Sequence, residues 1–434
     1  MSRHLIWPVW WLAVIATAAA AQDAQPTDAG TAQPSASTTQ PAPPPVLLSD
    51  DQRIERLRAL LGPRVELSGP RAKSRRARVR TSLRFDNPSD LQPLAPVSNV
   101  WEIRDGSLHG SGVSVSQIVF AVPLLAESCT VKARLRSDSL IEMSLLNPLV
   151  ERFDGTRAVG RLHFGRMDRF ARSDWIELSS HDNPLKRFYS FRFPDRMQEA
   201  MLALNEGELS AKLTVDDGSR TAGGRVLAED LSRNVYVSLA GGVNNKVAVD
   251  RLDVEGWIDL ESDETAVLTG MGREFWGEGR EVTIHYRARG HFRRLLHNGQ
   301  PVGEQQATEG VWWPTLGPLH QTTLTLNHGD VLAFELGWVD DEGALHAVGV
   351  DQATGMVVLA THPLAFETTA GPPPDEWFRT FGPRWETRPR VSNSQDQPTV
   401  EQLSKALGVD FPGLPIIGPW VDDERRVFLK TQIR

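Results

Sequence analysis

From residue 83 onward the chain keeps a period of two, and that alternation restricts its fold more than any other feature. Ile118, Phe120 and Val122, then Ile176 and Leu178, then Leu213 and Val215, then Val235, Val237 and Leu239 recur at every second position. A two-residue period places successive side chains on opposite faces of a strand, so each run reads as a strand with one apolar face. Asp105-Gly106, Asp154-Gly155, Asp217-Gly218 and Gly241-Gly242 punctuate the runs with residues that accept the positive φ of tight reversals. Residues 83–259 are therefore expected to form one antiparallel sandwich.

A second set begins near Thr265. Val282, Ile284, Tyr286 and Ala288 alternate with Thr283, His285, Arg287 and Arg289, and turns are expected at Asn298-Gly299, at Asn327 to Asp330 as a hairpin, and at Asp340 to Gly343. This smaller β domain is placed at 265–369, before the Gly371-Pro372-Pro373-Pro374 break. Residues 370–434 read as a C-terminal tail, with a helix over 399–407 capped by Thr399 and stopped by Gly408, and a final strand over 427–433 whose sheet is left open.

The N-terminal part has a different composition. Arg3 and His4 precede an apolar run from Leu5 to Ala20 and the small residues before Gln22, the pattern of a cleavable signal peptide over 1–21. The run is short for a bilayer span and contains Pro8, and no later segment is apolar enough to cross. The expectation is a secreted, periplasmic or cell-surface protein with no transmembrane span after cleavage. Residues 22–48, rich in Pro, Thr, Ser and Gln, lack the apolar side chains needed to fold and read as a disordered linker. Ser49 to Leu61 then shows Ile54, Leu57, Leu60 and Leu61 at helical spacing, a short helix expected outside the main fold.

Charge narrows the partners. The chain carries −8, yet residues 64–84 hold eight Arg or Lys against Glu66 alone, so that segment is +7 and the remainder −15. An acidic body argues against a nucleic-acid partner. The basic run within 49–82 reads as a solvated arm. The single cysteine, Cys129, excludes an internal disulfide and reads as a small buried hydrophobe.

VWEIRDGSLHGSG, residues 100–112, resembles the opening of concanavalin A-like jelly rolls, especially the laminin-G-like and 3-keto-disaccharide hydrolase-like domains of exported bacterial proteins; KVAVDRLDVEG, residues 246–256, is similar to their closing strand. The resemblance spans about 175 residues and implies an all-β fold: a concanavalin A-like jelly-roll sandwich, followed here by the smaller antiparallel β-sandwich domain, with short flanking helices. The hydrolase members carry an Asn-Ser-Gly segment and a cleft-facing Glu. Here the corresponding stretch reads IEMSLLNP, and the Glu-x-Asp-x-x-Glu run of laminarinase-type jelly rolls is absent, Asp259, Glu261, Asp263 and Glu264 being in another order.

Strand alternation nominates an outward face on the first domain: Glu142 and Ser144, Arg161 and His163, Trp175 and Glu177, opposite Ile141, Met143, Leu162, Phe164, Ile176 and Leu178. Carboxylates, a guanidinium, an imidazole and an indole suit a sugar, whose rings stack on aromatics while hydroxyls bond to charged groups. The plainer reading is a solvated sheet face of mixed charge. Arg157, Arg161, Arg166, Arg169 and Arg172 around one loop suggest an anionic sugar. Trp312 and Trp313, before Pro314, are further ligand-binding candidates, and Glu142 with Glu177 would be the catalytic pair of a glycoside hydrolase or lyase. His285, His291 and His297 have no zinc spacing, so no cofactor is assigned, with calcium weighed at Asp216-Asp217 and Asp340-Asp341-Glu342. Gly-x-Ser-x-Gly is absent, and Gly270-x-Gly272 and Gly277-x-Gly279 lack the third glycine of a dinucleotide loop. The expected function is non-catalytic binding of carbohydrate or polysaccharide; the alternatives are the glycoside hydrolase or lyase, and an envelope structural or protein-interaction module.

Overall fold

The strand Ser128–Ser137 shows how the first sandwich forms. Cys129, Val131, Ala133 and Leu135 are buried while Lys132, Arg134 and Arg136 are exposed, so one side joins the core and the other faces water. In the computed structural model the described residues are 47–69, 75–98, 100–111, 115–137, 140–147, 158–166, 174–180, 183–191, 197–215, 218–226, 233–241, 246–277, 279–302, 317–337, 343–392, 400–418 and 426–434. Residues 1–46, with the leader and most of the linker, the expected turn at Asp154-Gly155, and Asp340 to Glu342 of the turn expected before Gly343 lie outside them.

A nine-stranded antiparallel sheet runs, in spatial order, Val65–Ser68, Arg76–Leu83, Val247–Asp259, Ser128–Ser137, Gln198–Asn205, Glu208–Val215 and Gly218–Arg225. The hairpin Val100–Arg104 and Ser107–Ser111 joins it at Val247–Asp259. Packed against it, an eight-stranded sheet runs Asn183–Phe191, Asp174–Ser180, Ala158–Arg166, Leu140–Leu146, Asn234–Gly241, Ser116–Phe120 and Leu94–Ser98, with Leu124–Leu125 beside Asn234–Gly241. Successive strands repeatedly change sheet: Ser128–Ser137 leads to Leu140–Leu146, and Gly218–Arg225 to Asn234–Gly241 and back to Val247–Asp259. This is the wrapped layout of a jelly roll. The layers meet closely, since a methyl added at Gly160 would stand 2.4 Å from Leu209 Cδ1 of the other sheet.

Two smaller sheets form the second sandwich. One runs His320–Leu326, Arg280–Arg289, Ala344–Asp351, Ile416–Ile417 and Arg390–Val391, with Val357–Ala360 on Ala344–Asp351. The other runs Gln300–Pro301, His291–His297, Val331–Gly337, Arg426–Gln432 and Glu367–Ala370. Residues 370–434 are thus not a tail. Their strands complete both sheets, and Arg426–Gln432 sits between two earlier strands. The helix Val400–Leu407 is present, and Thr399 lies outside the described residues.

Of the other expectations, two turns hold and three readings change. Asp105 and Gly106 take φ 51° and 72°, and Asn298 and Gly299 take 50° and 82°, so both are two-residue hairpin turns that need positive φ. Asn327 to Asp330 is no hairpin, because it carries the chain from His320–Leu326 in one sheet to Val331–Gly337 in the other. The basic arm is largely strand, with Val65–Ser68 paired to Arg76–Leu83 and the latter to Val247–Asp259. Its charge is matched locally: Arg78 and Arg80 meet Glu255, and Arg76 meets Glu127. The helix Asp50–Leu61, capped by a reciprocal Ser49–Gln52 pair, is not outside the fold. Leu57 and Leu61 are fully buried, and Arg53 Nη1 donates to Leu260 O at 2.9 Å.

One apolar core runs through both sandwiches. Buried polar contacts tie them together. Arg388 Nη1 donates to Gln92 O at 2.9 Å and Leu94 O at 2.5 Å, and Glu264 on the linking helix Asp263–Thr269 receives Tyr236 O–H from the first sandwich while meeting His362 Nε2 at 3.0 Å from the second.

Candidate functional site

The strands Leu140–Leu146, Ala158–Arg166 and Asp174–Ser180 are neighbours in the eight-stranded sheet, and their register aligns the polar residues in rows. His163 lies opposite Glu142 on one side and Glu177 on the other; Arg161 lies opposite Ser144 and Ser179. The next strand over extends the second row, with Ser238 opposite Ser144. Gln117 Nε2 donates to Ser238 Oγ at 2.9 Å. Ile141, Met143, Leu162 and Phe164, at the intervening positions, are buried in the core, so the rows occupy the sheet face turned away from it.

This face is not open to solvent. Glu142 is 3%, Glu177 4%, His163 8% and Ser144 1% exposed, which corrects the expectation of an exposed outward surface. Part of the cover is visible: Tyr236, one row further along from Ser238, hydrogen-bonds Glu264 beneath the second sandwich.

Arg161 organises the rows. Its Nε donates to Ser179 Oγ at 3.1 Å, while Nη1 stands 3.7 Å from Glu142 Oε2 and Nη2 3.9 Å from Glu177 Oε1. One guanidinium therefore spans two carboxylates that flank His163 two strands apart, about 10 Å in backbone terms. Burial, and then the Arg161 charge, push the His163 imidazole down to about 4, so it is neutral at physiological pH. The cluster offers carboxylate acceptors, guanidinium donors and an imidazole that donates at one nitrogen and accepts at the other. That set matches sugar hydroxyls, each of which can donate and accept.

The other candidates are placed as follows. Trp175 is opposite Gly165 and Tyr189 in the sheet, one step from the Glu177 row, and its side chain lies outside the described residues, as do Arg157, Arg169, Arg172, Trp312 and Trp313. Both acidic turns considered for calcium lie outside them too. Among the described residues no group of three His, Cys, Asp or Glu is arranged to hold a metal ion. Cys129 is 1% exposed and its thiol is pushed up to about 12 by burial. Gln117, Ser179 and Ser238 were not singled out in the sequence: on Ser116–Phe120, Asp174–Ser180 and Asn234–Gly241 the alternation is carried by the apolar positions, and a neutral polar side chain at an intervening position gives no signal that its face is covered.

The architecture defines an all-β protein built on a jelly-roll sandwich. Among solved structures, the chain is similar to peanut lectin with a nine-residue peptide (12% identity, 42% of this chain and 98% of that one, TM-score 0.34). It is also similar to the Bauhinia forficata lectin in complex with GalNAc (11%, 42% and 98%, TM-score 0.34) and the exoplasmic/lumenal domain of VIP36 in its Ca2+/Man3GlcNAc-bound form (11%, 40% and 86%, TM-score 0.32). At these scores the likeness transfers no residue role. No family model matches the chain, and no curated protein matches it.

Proposed function

We propose that this chain is an exported, non-catalytic carbohydrate-binding protein of the laminin-G-like and 3-keto-disaccharide hydrolase-like jelly-roll kind, and that Glu142, Arg161, His163 and Glu177 hold the sugar. The observation that carries the reading is their burial in register. A solvated sheet face would leave its charges in water, whereas here two carboxylates, a guanidinium and an imidazole are withdrawn from it on three adjacent strands. Burying such groups costs several kcal/mol unless they are paired, and a shared Arg161 between two Glu is a frame for hydroxyls rather than a means of solubility. Trp175, one row on, is the stacking residue of the same site, and Trp312 and Trp313 remain further ligand contacts. Export is supported by the leader, and among the described residues no helix is long and apolar enough to cross a membrane. Calcium is an accessory to be tested at the two acidic turns.

A broad glycan array probed with the full chain, with and without calcium, tests the ligand class. Binding of a defined glycan family is expected. Silence on the array, together with a stable protein partner in pull-down, would replace this reading with an interaction module, and reducing-sugar release from a polysaccharide panel would convert it to a glycosidase using Glu142 and Glu177.

A further inference from the structure

The outer face of the nine-stranded sheet, on the opposite side of the jelly roll, holds a groove of about 340 Å³ between Lys132, Arg134, Glu199, Met201, Lys212, Thr214, Arg251 and Asp253, continued by a second of about 220 Å³ toward Arg80, Thr130 and Glu255. Register sets its floor as rows across the strands. One row reads Asp253, Lys132, Met201, Lys212; the next reads Arg251, Arg134, Glu199, Thr214. Most of these cations are already engaged: Arg251 with Asp253 at 2.9 Å, Arg134 with Asp250 at 3.2 Å, Arg80 with Glu255 at 3.3 Å. Lys132 and Lys212 are exposed and have no ion pair among the described residues. They flank Met201 two strand spacings apart, about 10 Å.

We infer that this groove is a second binding site, for an acidic polysaccharide lying across the strands. Lys132 and Lys212 each meet a uronate or sulfate group, and Met201 supports the sugar ring between them. Charge complementarity selects this occupant over other anions. Duplex DNA carries a charge every ~1.7 Å, and an anionic bilayer is similarly dense; Glu199, Asp253 and Glu255, interleaved with the lysines, repel both. A polysaccharide has sparse anions and many hydroxyls, so the same carboxylates, with Thr130 and Thr214, accept or share its hydrogen bonds. The chain as a whole carries −8, which further disfavours dense polyanions and leaves binding to this local pair.

The test titrates the full chain with polygalacturonate and hyaluronate, with neutral dextran, duplex DNA and phosphatidylserine vesicles alongside. An acidic polysaccharide binds, dextran does not, DNA and vesicles bind at least tenfold more weakly, and affinity falls as salt rises because counterions are released on binding. The Lys132→Ala/Lys212→Ala variant loses at least tenfold in affinity with an unchanged thermal midpoint, and it keeps its affinity for any glycan found on the array. That last comparison separates this groove from the Arg161 site. Equal binding by the double variant, failure of both acidic polysaccharides to bind, or DNA or vesicles binding as tightly as either would overturn the assignment.

Discussion

Replacing Tyr236 with Phe isolates one of the contacts that join the two sandwiches. The ring is buried, 6% exposed, and stays in place in the variant. What is lost is the O–H donated to Glu264, whose carboxylate also meets His362 Nε2 at 3.0 Å. A hydrogen bond to a charged group contributes about 1.5–3 kcal/mol. His362 Nε2 approaches the carboxylate but makes no hydrogen bond among the described residues, so the loss is not made up there, and about 2–3 kcal/mol is expected at pH 7. The pH dependence sharpens the test. Burial first, and then the Glu264 charge and hydrogen bond, raise the Tyr236 hydroxyl well above the ordinary tyrosine value of 10.0. A raised folded-state pKa stabilises the fold fully below the unfolded value, and the contribution is lost as pH climbs above it. The gap between wild type and Tyr236→Phe therefore narrows above pH 10, by about 1.4 kcal/mol per pH unit. Urea unfolding followed by tryptophan fluorescence at a series of pH values measures it. Coincident midpoints at pH 7, or a constant gap between pH 9 and 11, would refute the reasoning.

Three further outcomes follow from the buried groups. His163, held down to about 4 from an ordinary 6.5, contributes stability that is present above pH 6.5 and lost as pH falls toward 4; His163→Gln should remove up to about 3 kcal/mol of that acid sensitivity, and an unchanged acid limb would count against its burial. Cys129, 1% exposed with its thiol pushed up to about 12, should react with a thiol reagent only after denaturation, and rapid labelling of the native protein would contradict the fold of that strand. Gly110→Ala places a Cβ 2.7 Å from the ring of Trp101, an overpacking expected to cost about 1–3 kcal/mol in chemical denaturation, whereas a neutral result would show that this corner can give.

Local pattern was legible where a strand has one wet face. Lys132, Arg134 and Arg136 alternate with Cys129, Val131 and Ala133 because only one side of that sheet is covered. The Trp101 to Gly110 motif is legible for a packing reason, since the hairpin needs Asp105-Gly106 in its turn and a residue without Cβ at 110 beneath the indole. The turn at Glu206-Gly207, with φ 49° and 82°, does the same for Gln198–Asn205 and Glu208–Val215, but Glu gives a weak turn signal. Strands covered on both sides, such as Val331–Gly337 and Ala344–Asp351, carry no clean period. Long-range closure was not legible either: that Arg426–Gln432 lies between Val331–Gly337 and Glu367–Ala370 depends on partners about 60–100 residues away, and no local propensity encodes it. The same holds for the site. Alternation puts Glu142, Arg161, His163 and Glu177 on one face, while their withdrawal from water depends on what packs over that face.

The sugar-site reading is tested most directly by calorimetric titration of the strongest array glycan into wild type and Arg161→Ala. Removing the one guanidinium that spans both carboxylates should weaken binding by a factor of ten or more while the protein remains folded by near-ultraviolet circular dichroism. Equal affinity in a folded Arg161→Ala protein would mean that the buried rows are internal scaffolding and that sugar, if bound, sits elsewhere.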